Sequence, residues 1–372
     1  MRTLLSLGRL SLLAFVSVGA MSAAVSEPAL ISFYSCQRCS APPTMDGKLD
    51  DPCWQALPAM EDFFQYWCPT PKPAPLKTSA KLCYDGAGLY LGIRMFEEQL
   101  DKVKAAVTNR DNPVTWTDDC VEIIIDPQNC GTGYLKFVTN LNAIRYDEKC
   151  VNTSLDSSWN VEGWKVATAK GQGEWFIECF LPWSDLDATP ADGDIWSFDL
   201  VRYGYSTGKF RGVTWSLGGS GAAPQKLGYL GFGATVPPSE GTLATLARVA
   251  EPTKGPRMRL LLPGLVFERD GAAWTRSDVR EWQKQCLAEA TEAVNAAESA
   301  ANAIPKPDEK AKLLAKLAEL RAKLAEFAAQ AQSADAQSPS LACQLRQSLR
   351  AMRKDADELK WDGMLLSLAL SE

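Results

Sequence analysis

The chain of 372 residues contains no histidine. This absence removes the usual general base of catalytic triads and the commonest side-chain ligand of metal ions. It also excludes a haem whose iron is held by imidazole. No stretch beyond the N-terminal region is apolar and long enough to cross a bilayer as a helix. The sequence therefore argues against several familiar classes of enzyme and haem protein.

An excess of positive charge is also missing. The formal net charge is -6 at pH 7, which argues against nucleic acid or anionic lipid as the main partner. Hydrophobic residues make up 46% of the chain, enough to build a substantial core. The length favours two structural units over one small domain.

The first 24 residues have the pattern of a cleaved secretory signal. Arg2 and Arg9 precede the apolar run 10–20, and small residues follow at Ser22 to Ala24. The run is too short for a mature membrane-spanning helix, although a retained anchor is the alternative. We therefore predict a signal peptide over residues 1–24 and a secreted, periplasmic or cell-envelope location.

The cysteine count is odd, at eleven, so at least one thiol is unpaired if the others form disulfides. Cys36 and Cys39 have the spacing of a redox or metal motif. No histidine follows them, which excludes covalent haem attachment. The sequence has no second close pair of cysteines, which argues against a zinc site held by four cysteines. A structural disulfide in a flexible arm is the expected role. Cys83, Cys120 and Cys179 lie in apolar runs and are predicted to be buried.

Four segments are predicted after the signal. Residues 25–41 form an N-terminal arm, and residues 42–235 contain short β-branched and aromatic runs separated by glycine and asparagine turns. This pattern predicts a mainly β fold, an antiparallel β-sandwich of the jelly-roll type. Residues 236–276 are predicted to be a linker with extra strands.

The last segment, residues 277–372, is predicted to be α-helical. Leucines at positions 313, 317, 320 and 324 step by four and three residues, which is helical and heptad spacing. Prolines at 305, 307 and 339 separate three amphipathic helices. An antiparallel helical hairpin or a three-helix bundle is expected.

The stretch 112–126 carries the candidate site. Trp116 and the neighbouring Asp118 and Asp119 stand immediately before an apolar strand, so Trp116 is predicted to lie at the rim of the sandwich. An indole offers a flat apolar surface that matches the C–H face of a pyranose. Glu122 points to the strand face opposite Val121 and can accept hydroxyl hydrogen bonds. Four other tryptophans, at 54, 164, 175 and 196, lie in or beside alternating runs and are predicted to be core residues.

Six motifs in order resemble family 9 carbohydrate-binding modules, and the resemblance covers residues 42–233. The motifs lie at residues 45–54, 82–91, 116–126, 134–140, 175–182 and 193–198, with a closing strand at 226–230. The resemblance implies an exported DOMON-like β-sandwich of the kind often attached to glycan-degrading enzymes.

The resemblance also implies site residues. Trp116 matches a stacking tryptophan, Glu122 and Asn140 match polar sugar contacts, and Asp119 and Lys136 complete the predicted carbohydrate-binding set. Val138 stands where such modules carry an arginine, and the glycine-rich stretch 218–224 replaces a second stacking tryptophan. Structural calcium is a further implication, with Asp46, Asp50 and Asp51 as oxygen donors beside Gly47.

The leading hypothesis is a non-catalytic protein that binds poly- or oligosaccharide. One alternative is an envelope assembly protein that has lost its sugar site and self-associates through the C-terminal helices. The other is a glycoside hydrolase that uses two carboxylates, although no pair stands out in the sequence.

Overall fold

The computed structural model describes residues 27–68, 70–217 and 223–370. The predicted signal peptide lies outside these ranges, as do residues 218–222 of the glycine-rich stretch. Within the described ranges, no helix has the length and apolar character needed to cross a membrane.

Among the described residues, thirteen strands form one curved sheet. They are β2 (Phe33–Arg38), β3 (Phe64–Gln65), β4 (Thr78–Tyr84), β5 (Gly88–Phe96), β6 (Cys120–Asp126), β7 (Tyr134–Asn140), β8 (Tyr146–Val151), β9 (Ser154–Asp156), β10 (Lys165–Lys170), β11 (Glu174–Pro182), β12 (Ile195–Gly204), β13 (Arg211–Thr214) and β14 (Gly228–Phe232). The order is β10-β11-β5-β4-β2-β14-β12-β6-β7-β8-β9, with β13 beside β12 and β3 beside β13. The sheet folds over on itself, so the predicted β-sandwich is confirmed.

Strand β2 joins the two layers of the sandwich. Its residues 33–36 pair with β14, and Gln37 and Arg38 pair with Cys83 and Tyr84 of β4. Both ladders are parallel, whereas the other ladders of this sheet are antiparallel. The predicted N-terminal arm is therefore largely strand, and it forms part of the sandwich.

The core of the sandwich follows from the period of two along each strand. In β6, Val121, Ile123 and Ile125 point inward, where they meet residues of the opposite layer such as Leu91 and Ile93 of β5. All five are fully buried. The four tryptophans predicted to be core residues are also buried; Trp164, Trp175 and Trp196 lie in this core, and Trp54 packs with Cys83 and Tyr90 on its outer side.

The motif at residues 45–54 is held against the sandwich by a buried carboxylate. Glu178 accepts hydrogen bonds from the amides of Asp46 and Gly47 and from the indole nitrogen of Trp54, at 3.0, 2.7 and 2.9 Å. The short helix α1 (Pro52–Ala56) follows the turn.

The carboxylates proposed for calcium serve as turn caps in this structure. Asp46 accepts from the amide of Lys48, and Asp51 accepts from the amide of Thr44. In the described part of the chain, no group of three or more acidic or cysteine side chains is arranged to hold a metal ion. These residues do not fit a calcium site as they stand, and calcium binding stays a prediction.

Residues 236–276, predicted to be a linker with extra strands, contain strands and also a helix. Helix α2 (Glu240–Lys254) begins at the N-cap Ser239 and was not predicted. A four-stranded sheet then combines β1 (Ala29–Ile31) with β15 (Arg257–Leu262), β16 (Leu265–Asp270) and β17 (Trp274–Asp278). Phe267 faces α2 and the sandwich, and Val266 faces the C-terminal helices.

The C-terminal region is a three-helix bundle. It consists of α3 (Val279–Asn302), α4 (Pro307–Ala331) and α5 (Pro339–Ala369), and each of the three contacts the other two. The leucines at 313, 317, 320 and 324 are buried in its core, as their spacing predicts. Short 3-10 turns complete the described secondary structure at Leu100–Lys102, Thr115–Thr117, Trp183–Asp185, Pro224–Lys226 and Ala334–Gln337.

Candidate functional site

The candidate site lies on the outer face of the layer formed by β6, β7, β8 and β12. Side chains that alternate with the core residues of these strands project to this face. Glu122 lies between Val138 and Val201 on the adjacent strands. An aromatic group covers this face, and we call it the aromatic face. It comprises Tyr66, Trp67, Trp116, Tyr134, Tyr146, Tyr203, Tyr205 and Phe210.

Glu122 is the polar centre of the aromatic face. Its Oε2 accepts a hydrogen bond from Nε1 of Trp116 at 2.7 Å and another from the hydroxyl of Tyr203 at 3.3 Å. The side chain of Lys136 lies on the neighbouring strand, with Nζ 4.0 Å from Oε1 of Glu122. The structure thus brings together Trp116, Glu122 and Lys136, and their role as sugar contacts stays a prediction.

A second carboxylate neutralises Lys136. Nζ of Lys136 lies 2.6 Å from Oε1 of Glu148, whose Oε2 accepts a hydrogen bond from the hydroxyl of Tyr146 at 2.9 Å. The ammonium group also lies 5.4 Å from the Trp116 ring centroid and 5.2 Å from that of Tyr134. Burial raises the pKa of the Tyr146 phenol, so its hydroxyl remains a donor near neutral pH.

Trp116 is only partly buried, which agrees with its predicted position at the rim. The ring packs edge to face against Tyr146, with centroids 4.7 Å apart. Its backbone carbonyl accepts a hydrogen bond from the hydroxyl of Tyr205 at 2.9 Å. Its indole N–H is engaged by Glu122, and Lys136 lies over the ring. Trp116 is thus held firmly, and part of its ring surface is already used within the protein.

Asn140 and Asp119 differ from the expectation because both are fully buried. The amide of Asn140 donates to the carbonyl of Val107 and to Oδ2 of Asp118, each at 3.0 Å. Asp119 accepts from the backbone amides of Lys104 and Tyr205 at 2.9 and 3.1 Å. Burial raises the pKa of the Asp119 carboxyl. Neither side chain faces solvent, so the assignment of these two residues as sugar contacts is corrected to a structural role.

Val138, at the position where the resemblance implies an arginine, is fully buried beside Glu122 on the adjacent strand, and its side chain supplies no donor. The stretch that replaces the second tryptophan of the family falls mostly outside the described residues. Of the two departures noted in the sequence, the one at Val138 therefore leaves the position of the arginine apolar.

The sequence analysis missed the most exposed aromatic residue of the face. Trp67 is 71% exposed, and its backbone φ of 55° lies in the left-handed region, which is uncommon for a residue other than glycine. Its ring stacks on Tyr66 with centroids 4.9 Å apart and planes at 26°, and Phe210 lies 5.4 Å away. The run of aromatic residues at 63–67 could have indicated this position.

Trp67 and Glu122 belong to one continuous contact network. Tyr66 packs edge to face on Tyr203 at 5.7 Å, and the hydroxyl of Tyr203 reaches Glu122. Phe210 contacts Tyr203 and Tyr205 with ring centroids 5.7 and 5.4 Å away. The aromatic face therefore combines an open indole, a half-buried indole and a buried polar centre. Such a surface can stack on an apolar ring and hydrogen-bond to its substituents.

Comparison with known proteins agrees with this reading of the sandwich. Residues 45–216 match the family described as carbohydrate family 9 binding domain-like, so the resemblance seen in the sequence is confirmed. Over 175 residues, the chain is 30% identical to the exoglucanase XynX of Acetivibrio thermocellus and 29% identical to the endo-1,4-beta-xylanase A of Thermoanaerobacterium saccharolyticum. Each match covers 46% of this chain and only 14% of the relative's length.

Among solved structures, a family 9 carbohydrate-binding module from Caldicellulosiruptor kristjanssonii in complex with glucose is similar to this chain. The TM-score is 0.40 at 16% sequence identity, and the match covers 55% of this chain and 95% of the module. The C-terminal helices lie beyond the residues that match the family.

Proposed function

From the match of residues 45–216 to the carbohydrate family 9 binding domain-like family, we propose that this protein binds carbohydrate through its aromatic face. The binding is non-catalytic. The ligand is a poly- or oligosaccharide whose ring stacks on Trp67 while its hydroxyls meet the polar centre at Glu122.

The observation that carries the proposal is the exposed indole of Trp67. Because the Trp67 side chain is 71% exposed, it contributes little of the free energy that burial of a large apolar group would provide. Tyr66 and Phe210 hold its ring in place. A rigid flat apolar surface loses little conformational entropy when a ligand stacks on it. This is the property that an aromatic sugar platform needs.

The ligand class is suggested by the relatives. Their names describe an exoglucanase and endo-1,4-beta-xylanases, so β-1,4-linked glucans and xylans are the first candidates. With one open indole, we expect weak binding, on the order of -4 to -7 kcal/mol for a short oligosaccharide.

Calorimetric titration of the full chain with β-1,4-linked gluco- and xylo-oligosaccharides tests the proposal. We expect Trp67→Ala and Trp116→Ala to weaken binding by about 1–3 kcal/mol each, with the fold intact by circular dichroism. The control is Val236→Ala, because Val236 is 63% exposed and lies outside the aromatic face. Unchanged affinity in Trp67→Ala, or an equal loss in Val236→Ala, would reject the aromatic face as the binding site.

Export is a second part of the proposal, and its support is the sequence of residues 1–24. Cell fractionation with N-terminal sequencing of the mature protein tests it. A product that stays in the cytoplasm with Met1 intact would refute export.

Self-association through the C-terminal helices is the third part of the proposal. Trp361, Met364, Leu365 and Leu368 are exposed and form one stripe on α5, since their spacing repeats every three or four residues. A two-fold axis would place the same stripe of a second copy against it. Sedimentation over a range of concentrations should show a dimer that Leu365→Glu abolishes, and a monomer at every concentration would exclude this pairing.

A further inference from the structure

The two cysteines of the Cys36-Gln-Arg-Cys39 motif do not face each other. Cys36 is fully buried in the core between the two sandwich layers. Cys39 is half-buried on the outer side, against the cluster of Trp54, Cys83 and Tyr90. An odd separation along an extended strand places two side chains on opposite faces. The disulfide expected from the motif spacing is therefore not the one that this fold favours.

A neighbouring thiol of Cys39 belongs to β4. Gln37 and Cys83 are paired in the parallel ladder, so Cys39 lies two residues further along the same face. The amide of Cys39 donates to the carbonyl of Tyr84 at 2.9 Å, and its Sγ lies 3.4 Å from the same oxygen. Cys39 and Cys83 pack in the same cluster on the outer side of the sheet. Both residues are thiols in this structure.

We propose that Cys39 and Cys83 are a disulfide-forming pair, and that oxidation of these two thiols staples β2 to β4. In the reaction, an external disulfide is the oxidant. The thiolate of Cys39 attacks one sulfur of that disulfide, and the thiol of Cys83 then displaces the second sulfur from the mixed disulfide. One Sγ–Sγ bond forms and the external S–S bond breaks. The two protons released by the cysteines leave with the two reduced thiols of the oxidant.

The position of this bond gives it a structural consequence. The β2–β4 ladder consists of two residue pairs, whereas β2 and β14 share four. This short ladder is where the two layers of the sandwich join, so a covalent link there secures the weaker connection. The closed loop of residues 39–83 also contains Trp67. A disulfide that closes this loop restricts the conformations of the loop in the unfolded chain.

Peptide mapping tests the pairing directly. The full chain is incubated with oxidised glutathione, denatured, alkylated and digested without reductant, and a sample treated with dithiothreitol serves as the reference. We expect a peptide that links Cys39 to Cys83, with loss of both residues from the alkylated set. A peptide linking Cys39 to Cys36 or to Cys53, or the absence of any disulfide at Cys39, would overturn the proposal. Burial raises the pKa of the Cys39 thiol, so we expect the reaction to be faster at alkaline pH.

Two variants separate the pairing from general effects on folding. Cys39→Ala replaces a half-buried side chain and should leave Cys83 reduced. Cys36→Ala is the matched control, because it alters the same motif but should keep the Cys39–Cys83 link. Hydrogen exchange of residues 33–38 should slow on oxidation in the wild type and in Cys36→Ala, and should stay unchanged in Cys39→Ala. Equal slowing in all three proteins would refute the staple.

Discussion

At the scale of single residues, internal hydrogen bonds decide which side chains of the aromatic face can meet a ligand. The amide of Asn140 is used twice, by Val107 and Asp118, and its Oδ1 accepts from the amide of Asn142. Trp67, in contrast, presents most of its ring to solvent. The first residue maintains the rim of the sandwich, and the second is available for recognition.

This distinction leads to a prediction for Asn140→Ala. The substitution removes one donor from the buried Asp118 carboxylate, which keeps the amide of Val107, and one from the carbonyl of Val107, which keeps the side chain of Asn142. We expect a loss of about 1–3 kcal/mol of unfolding free energy. Carbohydrate affinity at temperatures well below the melting transition should be unchanged. Denaturant titration and calorimetric binding check the two halves of this prediction.

Asn160→Ala is the matched control for Asn140, since Asn160 is exposed. It should change stability by no more than about 0.5 kcal/mol. If Asn140→Ala instead preserves stability but abolishes sugar binding, Asn140 contacts the ligand and the structural assignment fails.

The sequence predicts part of this site for a clear physical reason. Alternation along a strand is local, so it places Glu122 on the face opposite Val121, whereas the proximity of Lys136 depends on the register of the adjacent strand. Asn140 and Asp119 form hydrogen bonds with the separate segment 104–107 and with Tyr205. Whether their polar atoms all find partners therefore depends on how the loops fold. Trp67 lies in a loop of irregular backbone, where no periodicity marks exposure.

At the scale of secondary-structure elements, the turn at residues 45–49 shows how a glycine can fix a motif. Gly47 has φ of 86°, and a Cβ atom at this position would lie 2.5 Å from the carbonyl carbon of Thr168. The close approach allows the amide of Gly47 to reach Glu178. Glycine is required here for both its backbone conformation and its lack of a side chain.

We therefore predict that Gly47→Ala destabilises the sandwich more than Gly193→Ala. Gly193 has φ of 95°, but a Cβ atom there would meet nothing within 4 Å. The control should cost about 1–2 kcal/mol, from the left-handed backbone alone. Gly47→Ala should cost at least about 1 kcal/mol more, because the backbone of Thr168 must also move. Equal melting temperatures in the two variants would show that the turn relaxes freely.

The elements that the sequence misses are those whose partners are remote. The leucine spacing of α4 is a local signal, and it predicts the helix and its buried side correctly. Strand β2 pairs with β14, almost 200 residues away, and nothing in the six residues Phe33–Arg38 indicates this partner. Helix α2 does carry a local signal, since Ser239 caps its N-terminus by accepting from the amide of Thr242. The interior Pro252 and the short apolar face obscured it.

At the scale of the whole molecule, the four-stranded sheet joins the sandwich to the helical bundle. Arg259 of β15 and Arg346 of α5 lie over the Trp282 ring, 5.2 and 5.0 Å from its centroid. Glu27 forms ion pairs with both arginines, at 3.0 and 3.5 Å. The segment before β1, the small sheet and the last helix are thus tied together.

A second junction involves a half-buried carboxyl. Asp62, in the sandwich, lies beside Ser338 and Ser340 at the start of α5. Burial and, to a smaller extent, the neighbouring Glu61 carboxylate raise the pKa of Asp62 to about 6. An unfolded aspartate titrates near about 3.9, so the folded protein holds a proton that the unfolded chain releases.

The sign of the pH effect follows from this difference. The folded state binds more protons than the unfolded state between about pH 4 and pH 6, so the stability contributed by Asp62 falls as the pH rises through that window. Below the window both states are protonated, and above it both are ionised. Across the whole window, the stability contributed by Asp62 changes by about 1–3 kcal/mol, because each pKa unit corresponds to 1.36 kcal/mol.

Asp62→Asn, which is uncharged at every pH, tests this junction. The variant and the wild type should have similar melting temperatures near about pH 4, and the variant should become the more stable as the pH rises to about 7. Asp199, whose pKa burial raises to about 7, adds the same slope to both proteins and cancels in their difference. Asp101→Asn, at an exposed position, is the control and should follow the wild type throughout. A constant difference between Asp62→Asn and the wild type at all pH values would mean that the pKa of Asp62 does not change on folding, and that the sandwich and α5 are not joined through a protonated carboxyl.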